Sequence, residues 1–172
     1  MNKDKKKLFE WVGNGKIESL GNWGGLVNDG MYRINDKWIM KITEDWGKEY
    51  RITEELQGHP NIVSMLPMSR RSGRYASVVM EYCEGGNLNN YNIKDKQSVI
   101  EDITKGIGHM LSKGYVNNDL WRDTGQHLGN FFVRGNGTVV LGDFGDVDRV
   151  NSKNLIKLSE HINKIIEYIN IY

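Results

Sequence analysis

Apolar and polar positions alternate in short runs through the first half of the chain, which is the pattern of β-strands. The runs at residues 31–34 and 37–40 flank Asn35 and Asp36, a pair that tolerates the positive φ of a tight turn. These runs are therefore predicted to form a β-hairpin. The other elements predicted in this half are two strands and one helix, at residues 61–66, 75–80 and 44–57.

Helical spacing dominates the second half. Apolar residues recur at helix spacing in a first helix, which Gly114 is expected to end: Val99, Ile103, Ile107 and Met110. Residues 152–168 predict a second helix with one apolar face. That face consists of Leu155, Leu158, Ile162, Ile165, Ile166 and Ile169. Strands first and helices second predict an α+β fold.

Composition predicts one cytoplasmic domain and excludes several classes of partner. A chain of 172 residues suits a single domain, residues 1–172. A formal net charge of +1 gives no strong field for nucleic acid or an anionic membrane. No apolar run approaches the ~20 residues of a membrane span. The single cysteine, Cys83, and the absence of an apolar signal segment at the start favour a reducing cytoplasm.

A second predicted hairpin brings an asparagine and an aspartate together. Residues 131–133 and 139–141 are apolar, and the link between them, RGNGT, is rich in turn residues. Pairing position 133 with 139 places Asn130 beside Gly142 and Asp143, because neighbouring strands lie about 4.8 Å apart. Two hard oxygen donors at one place suit Mg²⁺. The alternative is that both residues only cap turns; the two together, within an Asp-Phe-Gly turn, favour the metal site.

A lysine and a glutamate form the second candidate site. Lys41 ends an apolar strand and shares a face with Ile39 under the two-residue period of strands. A cation on an apolar face requires an anionic partner. Glu49 lies on the stripe of Ile52 and Leu56 in the following helix, so its carboxylate is predicted to point inward. Such a pair can present its ammonium to a phosphate; the alternative is a solvated lysine near a half-exposed glutamate.

The two sites, taken in chain order with the segments between them, resemble the signature set of a protein kinase. The resemblance runs from about Gly21 to Gly145, and its parts come in the order of the family. The matching segments are WIMKI (38–42), GKEYRITEEL (47–56), HPNIV (59–63), VVMEYCEGGNL (78–88), YVNNDL (115–120), LGNFFV (128–133) and GDFG (142–145).

The resemblance implies a bilobal kinase-like fold and a role for each site residue. Residues 1–82 are expected to form an N-terminal lobe, an antiparallel sheet with one helix. Residues 83–172 are expected to form a truncated, mainly helical C-terminal lobe.

The implied cofactors are ATP and Mg²⁺. Lys41 would bind the α- and β-phosphates, oriented by Glu49; Asp119 would accept the proton of the attacking hydroxyl; Asn130 and Asp143 would hold Mg²⁺. Gly21, Gly24 and Gly25 would cover the phosphates, Met80 would be the gatekeeper, and Glu81 to Cys83 would offer backbone hydrogen bonds to adenine.

The catalytic loop departs from the family pattern in two ways. Asn117 and Asn118 stand where His-Arg usually precedes the catalytic aspartate. The segment from Asp119 to Asn130 is longer than the usual spacing of about five positions. Asp123 lies inside this insert and is a rival base. Asp119 is preferred because the apolar residues 114–116 precede it.

The C-terminal end of the matched region is short. Only residues 146–172 follow Gly145, so no room remains for an activation segment and the usual C-terminal helices. In this respect the chain is similar to small bacterial effector kinases and to compact phage or viral kinases. The expectation is a minimal Ser/Thr kinase acting on a protein substrate in the cytoplasm, including that of a host cell. It would be constitutive or switched on by a partner protein.

Two alternatives belong to other functional classes. A pseudokinase or nucleotide-binding interaction module is favoured by the missing His-Arg and by an irregular glycine loop. A small-molecule phosphotransferase shares an "LGN"-type loop, but such enzymes build their acceptor pocket from a large helical region that does not follow here.

Overall fold

The computed structural model describes residues 17–20, 28–43, 48–66, 69–72, 75–121, 123 and 127–171. The chain divides into two compact units. The N-terminal unit comprises Met1–Gln57 and Ser64–Tyr82, and the C-terminal unit comprises Gly58–Val63 and Cys83–Tyr172. None of the helices in the described part of the chain has the length and apolar character needed to cross a membrane.

The N-terminal unit is a five-stranded antiparallel sheet with one helix. Its elements are β1 (Ile17–Ser19), β2 (Asn28–Ile34), β3 (Trp38–Thr43), α1 (Lys48–Glu55), β4 (Arg70–Ser72) and β5 (Tyr75–Glu81). The strand order is β1-β2-β3-β5-β4. Buried side chains on one side of the sheet form its core: Ile34, Met40, Ile42, Tyr75 and Val79.

The predicted first hairpin is confirmed. Strand β2 pairs antiparallel with β3, and Ile34 faces Trp38 at the closed end. Asn35 and Asp36 in the turn have φ values of 51° and 56°. Asparagine and aspartate tolerate this left-handed region better than other side chains do, which explains why they occupy the turn.

One predicted strand of this half does not form, and one strand is present that was not predicted. Residues 61–66 were expected to form a strand, but they make only isolated bridges, Ile62 to Leu141 and Met65 to Met80. The segment is divided between the two units. The Val63 amide donates to Leu141 in the C-terminal unit, whereas the Leu66 amide donates to Val79 in the N-terminal unit. The polar link before β5 was not predicted as a strand, yet it contains β4 at the edge of the sheet.

The C-terminal unit contains two long helices and several very short strands. Its elements are β6 (Gly86–Asn87), a 3₁₀-helix (Leu88–Asn90), α2 (Lys96–Ser112), β7 (Tyr115–Asn117), β8 (Phe131–Val133), β9 (Val139–Leu141), β10 (Val147–Arg149) and α3 (Ser152–Ile171). Strands β6, β8 and β9 form one antiparallel sheet, and β10 pairs with β7 in another. With the sheet and α1 of the N-terminal unit, these elements confirm the predicted α+β, kinase-like fold.

Helix α2 ends just before Gly114 as the sequence predicts, and its start, which was not predicted, is capped by a side chain. Asp95 caps its N-terminus, because its side chain accepts a hydrogen bond from the Ser98 amide at 3.0 Å. Gly114 follows its C-terminus with a φ of 77°, a value that favours glycine. Within α2, a Cβ atom at Gly106 would lie 2.8 Å from the Asn61 carbonyl oxygen, so only glycine allows residues 58–63 to pack this closely on the helix.

The buried face of α3 differs in part from the predicted stripe. Leu158, Ile165 and Ile169 are buried as expected, but Leu155 is 39% exposed. Asn154 and His161 are buried instead. They lie at helical spacing from Leu158, so the true buried line follows positions 154, 158, 161, 165 and 169 and includes two polar residues.

Candidate active site

A buried ion pair connects β3 to α1. The Lys41 Nζ atom lies 2.8 Å from Glu49 Oε1, and the two residues are 4% and 2% exposed. Lys41 points to the face of β3 opposite the core residues Met40 and Ile42, and Glu49 lies in the first turn of α1. The predicted pairing of Lys41 with Glu49 is therefore confirmed. Two buried charges of opposite sign depend strongly on each other, since either alone would be an uncompensated charge.

The second hairpin has the predicted register. Phe131 faces Leu141 across β8 and β9, and Val133 faces Val139. At the open end, the Gly142 amide donates to the Asn130 carbonyl oxygen at 2.9 Å. Asn130 and Asp143 thus lie at adjacent strand ends, as expected from the turn length.

Asp143 has an unusual backbone conformation. Its φ is 54°, in the left-handed region that non-glycine residues seldom adopt. The Asn117 side chain donates to the Asp143 carbonyl oxygen at 3.2 Å and so helps to hold this turn. Strained backbone of this kind is found preferentially where a side chain must be aimed at a ligand.

Asn117 also holds Asp119, which makes it the central residue of the site. Its Oδ1 atom accepts a hydrogen bond from the Asp119 amide at 2.8 Å. The Asp119 carbonyl oxygen accepts from Asn130 Nδ2, also at 2.8 Å. Backbone groups on both sides of the Asp119 side chain are thus fixed by asparagines. The same asparagine, Asn117, connects Asp119 to Asp143.

The sequence analysis treated Asn117 only as a departure from a pattern and missed this role. Asn117 is completely buried at the end of β7. A polar residue that continues the apolar run of Tyr115 and Val116 was a usable signal, because a buried amide must find hydrogen-bond partners.

Replacing Asn117 by alanine is expected to destabilise the protein by about 2–4 kcal/mol, because the Asp119 amide and the Asp143 carbonyl lose their partner. Urea unfolding measures this change. Asn163→Ala is the matched control, since Asn163 is exposed on α3 and its side chain makes no hydrogen bond to the described residues. A loss below about 0.5 kcal/mol for Asn117→Ala, within the range of surface substitutions, would contradict the bridging role.

The oxygen donors at the end of the hairpin fit a magnesium ion whose remaining ligands are phosphate oxygens. Because Asn130 Nδ2 donates to Asp119, its Oδ1 is the atom left to face a cation. Asp143 supplies a carboxylate from the residue after Gly142, whose amide binds the Asn130 carbonyl. Among the described residues, no cluster of three or more His, Cys, Asp or Glu side chains could hold a metal alone. Mg²⁺ commonly uses one or two protein oxygens and completes its shell with phosphates and water.

The described residues of the insert after Asp119 contact α3. The Trp121 ring stacks on His127 with centroids 4.5 Å apart, and Tyr168 contacts both rings. Asp123 Oδ1 accepts from Trp121 Nε1 at 2.8 Å and lies 3.2 Å from Lys164 Nζ. These hydrogen bonds, from Trp121 first and Lys164 second, lower the pKa of Asp123. A lower pKa makes a carboxylate a weaker base, which disfavours Asp123 as the rival to Asp119.

The other residues expected to contact the nucleotide, at its phosphates and its base, are less completely described. Gly21, Gly24 and Gly25 lie outside the described residues. Met80 ends the buried part of β5 beside Ile39, and the Glu81 amide donates to the Ser64 carbonyl at 3.0 Å. The Cys83 carbonyl oxygen accepts from the Gly86 amide at 2.9 Å. A role for Met80, Glu81 and Cys83 in binding adenine stays a prediction.

A protein family matches most of this chain. The family model described as "Protein kinase domain" covers residues 32–165. This range contains the residues of both candidate sites: Lys41, Glu49, Asp119, Asn130 and Asp143.

Individual relatives match at low identity. "Fatty acyl-CoA synthetase and RNA processing-associated kinase 1" of Saccharomyces cerevisiae is 31% identical over 131 residues, 69% of this chain and 14% of the relative. "Serine/threonine-protein kinase CLA4" of Candida albicans is 28% identical over 158 residues, 84% of this chain and 16% of the relative. "Serine/threonine-protein kinase Nek3" of Mus musculus is 33% identical over 104 residues, 55% of this chain and 19% of the relative. The matches therefore span less than a fifth of the length of each of these relatives.

Proposed function

The chain belongs to the protein kinase family, and from this membership we propose that it is an ATP- and Mg²⁺-dependent kinase that phosphorylates serine or threonine in a protein substrate. The hydrogen-bonded set around Asn117 is the observation that carries the proposal. These hydrogen bonds connect Asp119, the proposed base, with Asn130 and Asp143, the proposed metal ligands, and so support the assignment.

Each unit contributes one part of the proposed chemistry. In the N-terminal unit, the Lys41 ammonium binds phosphate oxygens, and Glu49 fixes its position through the ion pair. In the C-terminal unit, the Asp119 carboxylate accepts the proton of the substrate hydroxyl, while Asn130 and Asp143 hold the metal. Mg²⁺–ATP supplies the transferable phosphoryl group and the neutralising charge. The protein residues then act by positioning and by charge stabilisation.

Only residues 146–151 separate the turn at Gly145 from α3, so no long activation segment lies between these two elements. Strand β10 begins with Val147, almost directly after Gly145, and pairs with β7. The chain after the metal-binding turn is thereby incorporated at once into the C-terminal unit. We infer that the kinase is constitutive or is switched on by a partner protein. Its proposed location is the cytoplasm, either of the producing cell or of a host cell.

Thermal unfolding with nucleotide tests the proposal. Mg²⁺–ATP is expected to raise the melting temperature, since a ligand at 100 times its Kd stabilises the folded state by about 2.7 kcal/mol. Asp143→Ala should remove the Mg²⁺-dependent part of the shift. Glu167→Ala is the control, because it deletes an equal charge from an exposed position on α3.

Phosphate transfer separates the remaining alternatives. The wild-type protein is incubated with γ-labelled ATP and Mg²⁺, alone and with a protein lysate. Labelled protein that disappears with Asp143→Ala supports a protein kinase. A thermal shift without transfer indicates a pseudokinase, and label on small molecules only indicates a small-molecule phosphotransferase. No thermal shift at millimolar Mg²⁺–ATP counts against every nucleotide-dependent function.

A further inference from the structure

Asn118, the residue before Asp119, is held by charged residues that follow it in the chain, on α3 and in or next to β10. The Asn118 carbonyl oxygen accepts a hydrogen bond from Lys157 Nζ at 2.7 Å. The Asn118 amide donates to the Asp146 carbonyl oxygen at 2.9 Å. Its side-chain amide donates to Asp148 Oδ2 at 2.8 Å, with Asp146 Oδ1 at 3.4 Å. Asn118 is thus bound through its backbone on both sides and through its side chain.

These contacts bear directly on Asp119 because a peptide unit is planar. The Asn118 carbonyl and the Asp119 amide belong to the same plane. Lys157 holds the first of these groups, and the Asn117 side chain holds the second. The plane is therefore fixed from both edges. Since Asn130 binds the next carbonyl, the backbone that directs the Asp119 side chain is fixed before and after its Cα atom.

Lys157 stands on a helix whose start is itself anchored. Asn151 and Asn154 exchange hydrogen bonds between the side chain of each and the backbone amide of the other, at 3.0 and 2.8 Å. Asn154 Nδ2 also donates to the Arg149 carbonyl at the end of β10, at 2.9 Å. Because β10 pairs with β7, the first turn of α3 is connected to the strand that leads into Asn118. Lys157 lies in the next turn.

The buried His161 on the same helix lies within electrostatic range of both Lys157 and Asp119. The pKa of His161 is lowered, first by burial and then by the Lys157 and Lys164 ammonium groups. The Asp119 carboxylate acts in the opposite direction. The candidate base and Lys157 are therefore both close enough to His161 to act on it electrostatically.

We propose that Lys157 is a positioning residue for the candidate base, acting through the Asn118 carbonyl to fix the orientation of Asp119. This inference rests on the proposed kinase function. Because the cation and the carboxylates that hold Asn118 all belong to the chain itself, the loop reaches its working geometry without a phosphorylated residue.

The first experiment measures steady-state kinetics. Lys157→Met keeps the length and apolar stem of the side chain but removes the donor, and is expected to lower kcat about tenfold by misplacing the base. The KM for ATP and the melting temperature should stay at wild-type values. Lys157 is exposed, and its hydrogen bond goes to Asn118, which is not among the residues proposed to bind the nucleotide. Lys157→Arg should restore most of the activity. Lys153→Met is the control, since Lys153 is an exposed lysine on α3 whose side chain makes no hydrogen bond to the described residues.

The second experiment does not depend on activity. Amide hydrogen exchange by NMR is expected to be about tenfold faster for the Asp119 amide in Lys157→Met than in the wild type, and unchanged in Lys153→Met. If the wild type transfers no phosphate, the proposed function fails, and the exchange rate alone decides whether Lys157 holds this peptide. An unchanged exchange rate overturns the inference in either case. In an active enzyme, an unchanged kcat for Lys157→Met overturns it as well.

Discussion

Replacing Asp119 by asparagine is expected to lower the rate of phosphoryl transfer by about 10²- to 10⁴-fold, the usual contribution of a general base. Asparagine has the shape of aspartate but cannot accept the hydroxyl proton. The Asp119 amide and carbonyl keep their partners, Asn117 and Asn130, because both contacts involve only the backbone of residue 119. The fold and the affinity for Mg²⁺–ATP should therefore stay close to wild type. Single-turnover transfer and nucleotide titration measure the two effects separately.

Asp123→Asn is the matched control for this prediction. It neutralises a carboxylate in the same insert, but one that is 78% exposed and is bound to Trp121 and Lys164. The same contacts lower the pKa of Asp123, which weakens it as a base, so little loss of transfer rate is expected. The base is misassigned if Asp123→Asn abolishes transfer while Asp119→Asn remains active.

The parts of the site that the sequence predicted are those set by local chemistry. The link between β8 and β9 is short and rich in turn residues, so its length fixes the pairing of Phe131 with Leu141. That pairing in turn places Asn130 next to Gly142. Lys41 and Glu49 were predictable for a similar reason, because they are close in sequence and each carries a charge on an otherwise apolar face.

The parts that the sequence did not reveal depend on contacts between distant segments. Strands β7 and β10 have three residues each, too few for a two-residue period to be recognised. Their pairing nevertheless brings Asp148 to Asn118 and positions α3 so that Lys157 reaches the same residue. Strand β4 was missed because it is an edge strand within a polar segment, where pairing on one side only requires no apolar alternation.

The ion pair of Lys41 and Glu49 gives the largest expected effect on stability. Replacing either residue alone, as in Lys41→Met or Glu49→Leu, leaves one buried charge without its counterpart and is expected to cost about 3–5 kcal/mol. The double variant Lys41→Met/Glu49→Leu removes both charges and fills their space with apolar atoms. Its free energy of unfolding should return to about the wild-type value or exceed it, because apolar replacements of buried pairs are often neutral or stabilising.

The exposed pair of Lys105 and Glu101 provides the control for a double-mutant cycle measured by urea unfolding. Its atoms lie 3.6 Å apart and its side chains are 58% and 53% exposed, so a coupling below about 1 kcal/mol is expected. If the changes in unfolding free energy at Lys41 and Glu49 simply add, to within about 0.5 kcal/mol, the burial and the mutual dependence of the pair are contradicted.

Phosphate transfer gives the second half of the test. The stable double variant should remain as inactive as Lys41→Met, because packing can replace the ion pair in the fold but cannot supply a cation for the phosphates.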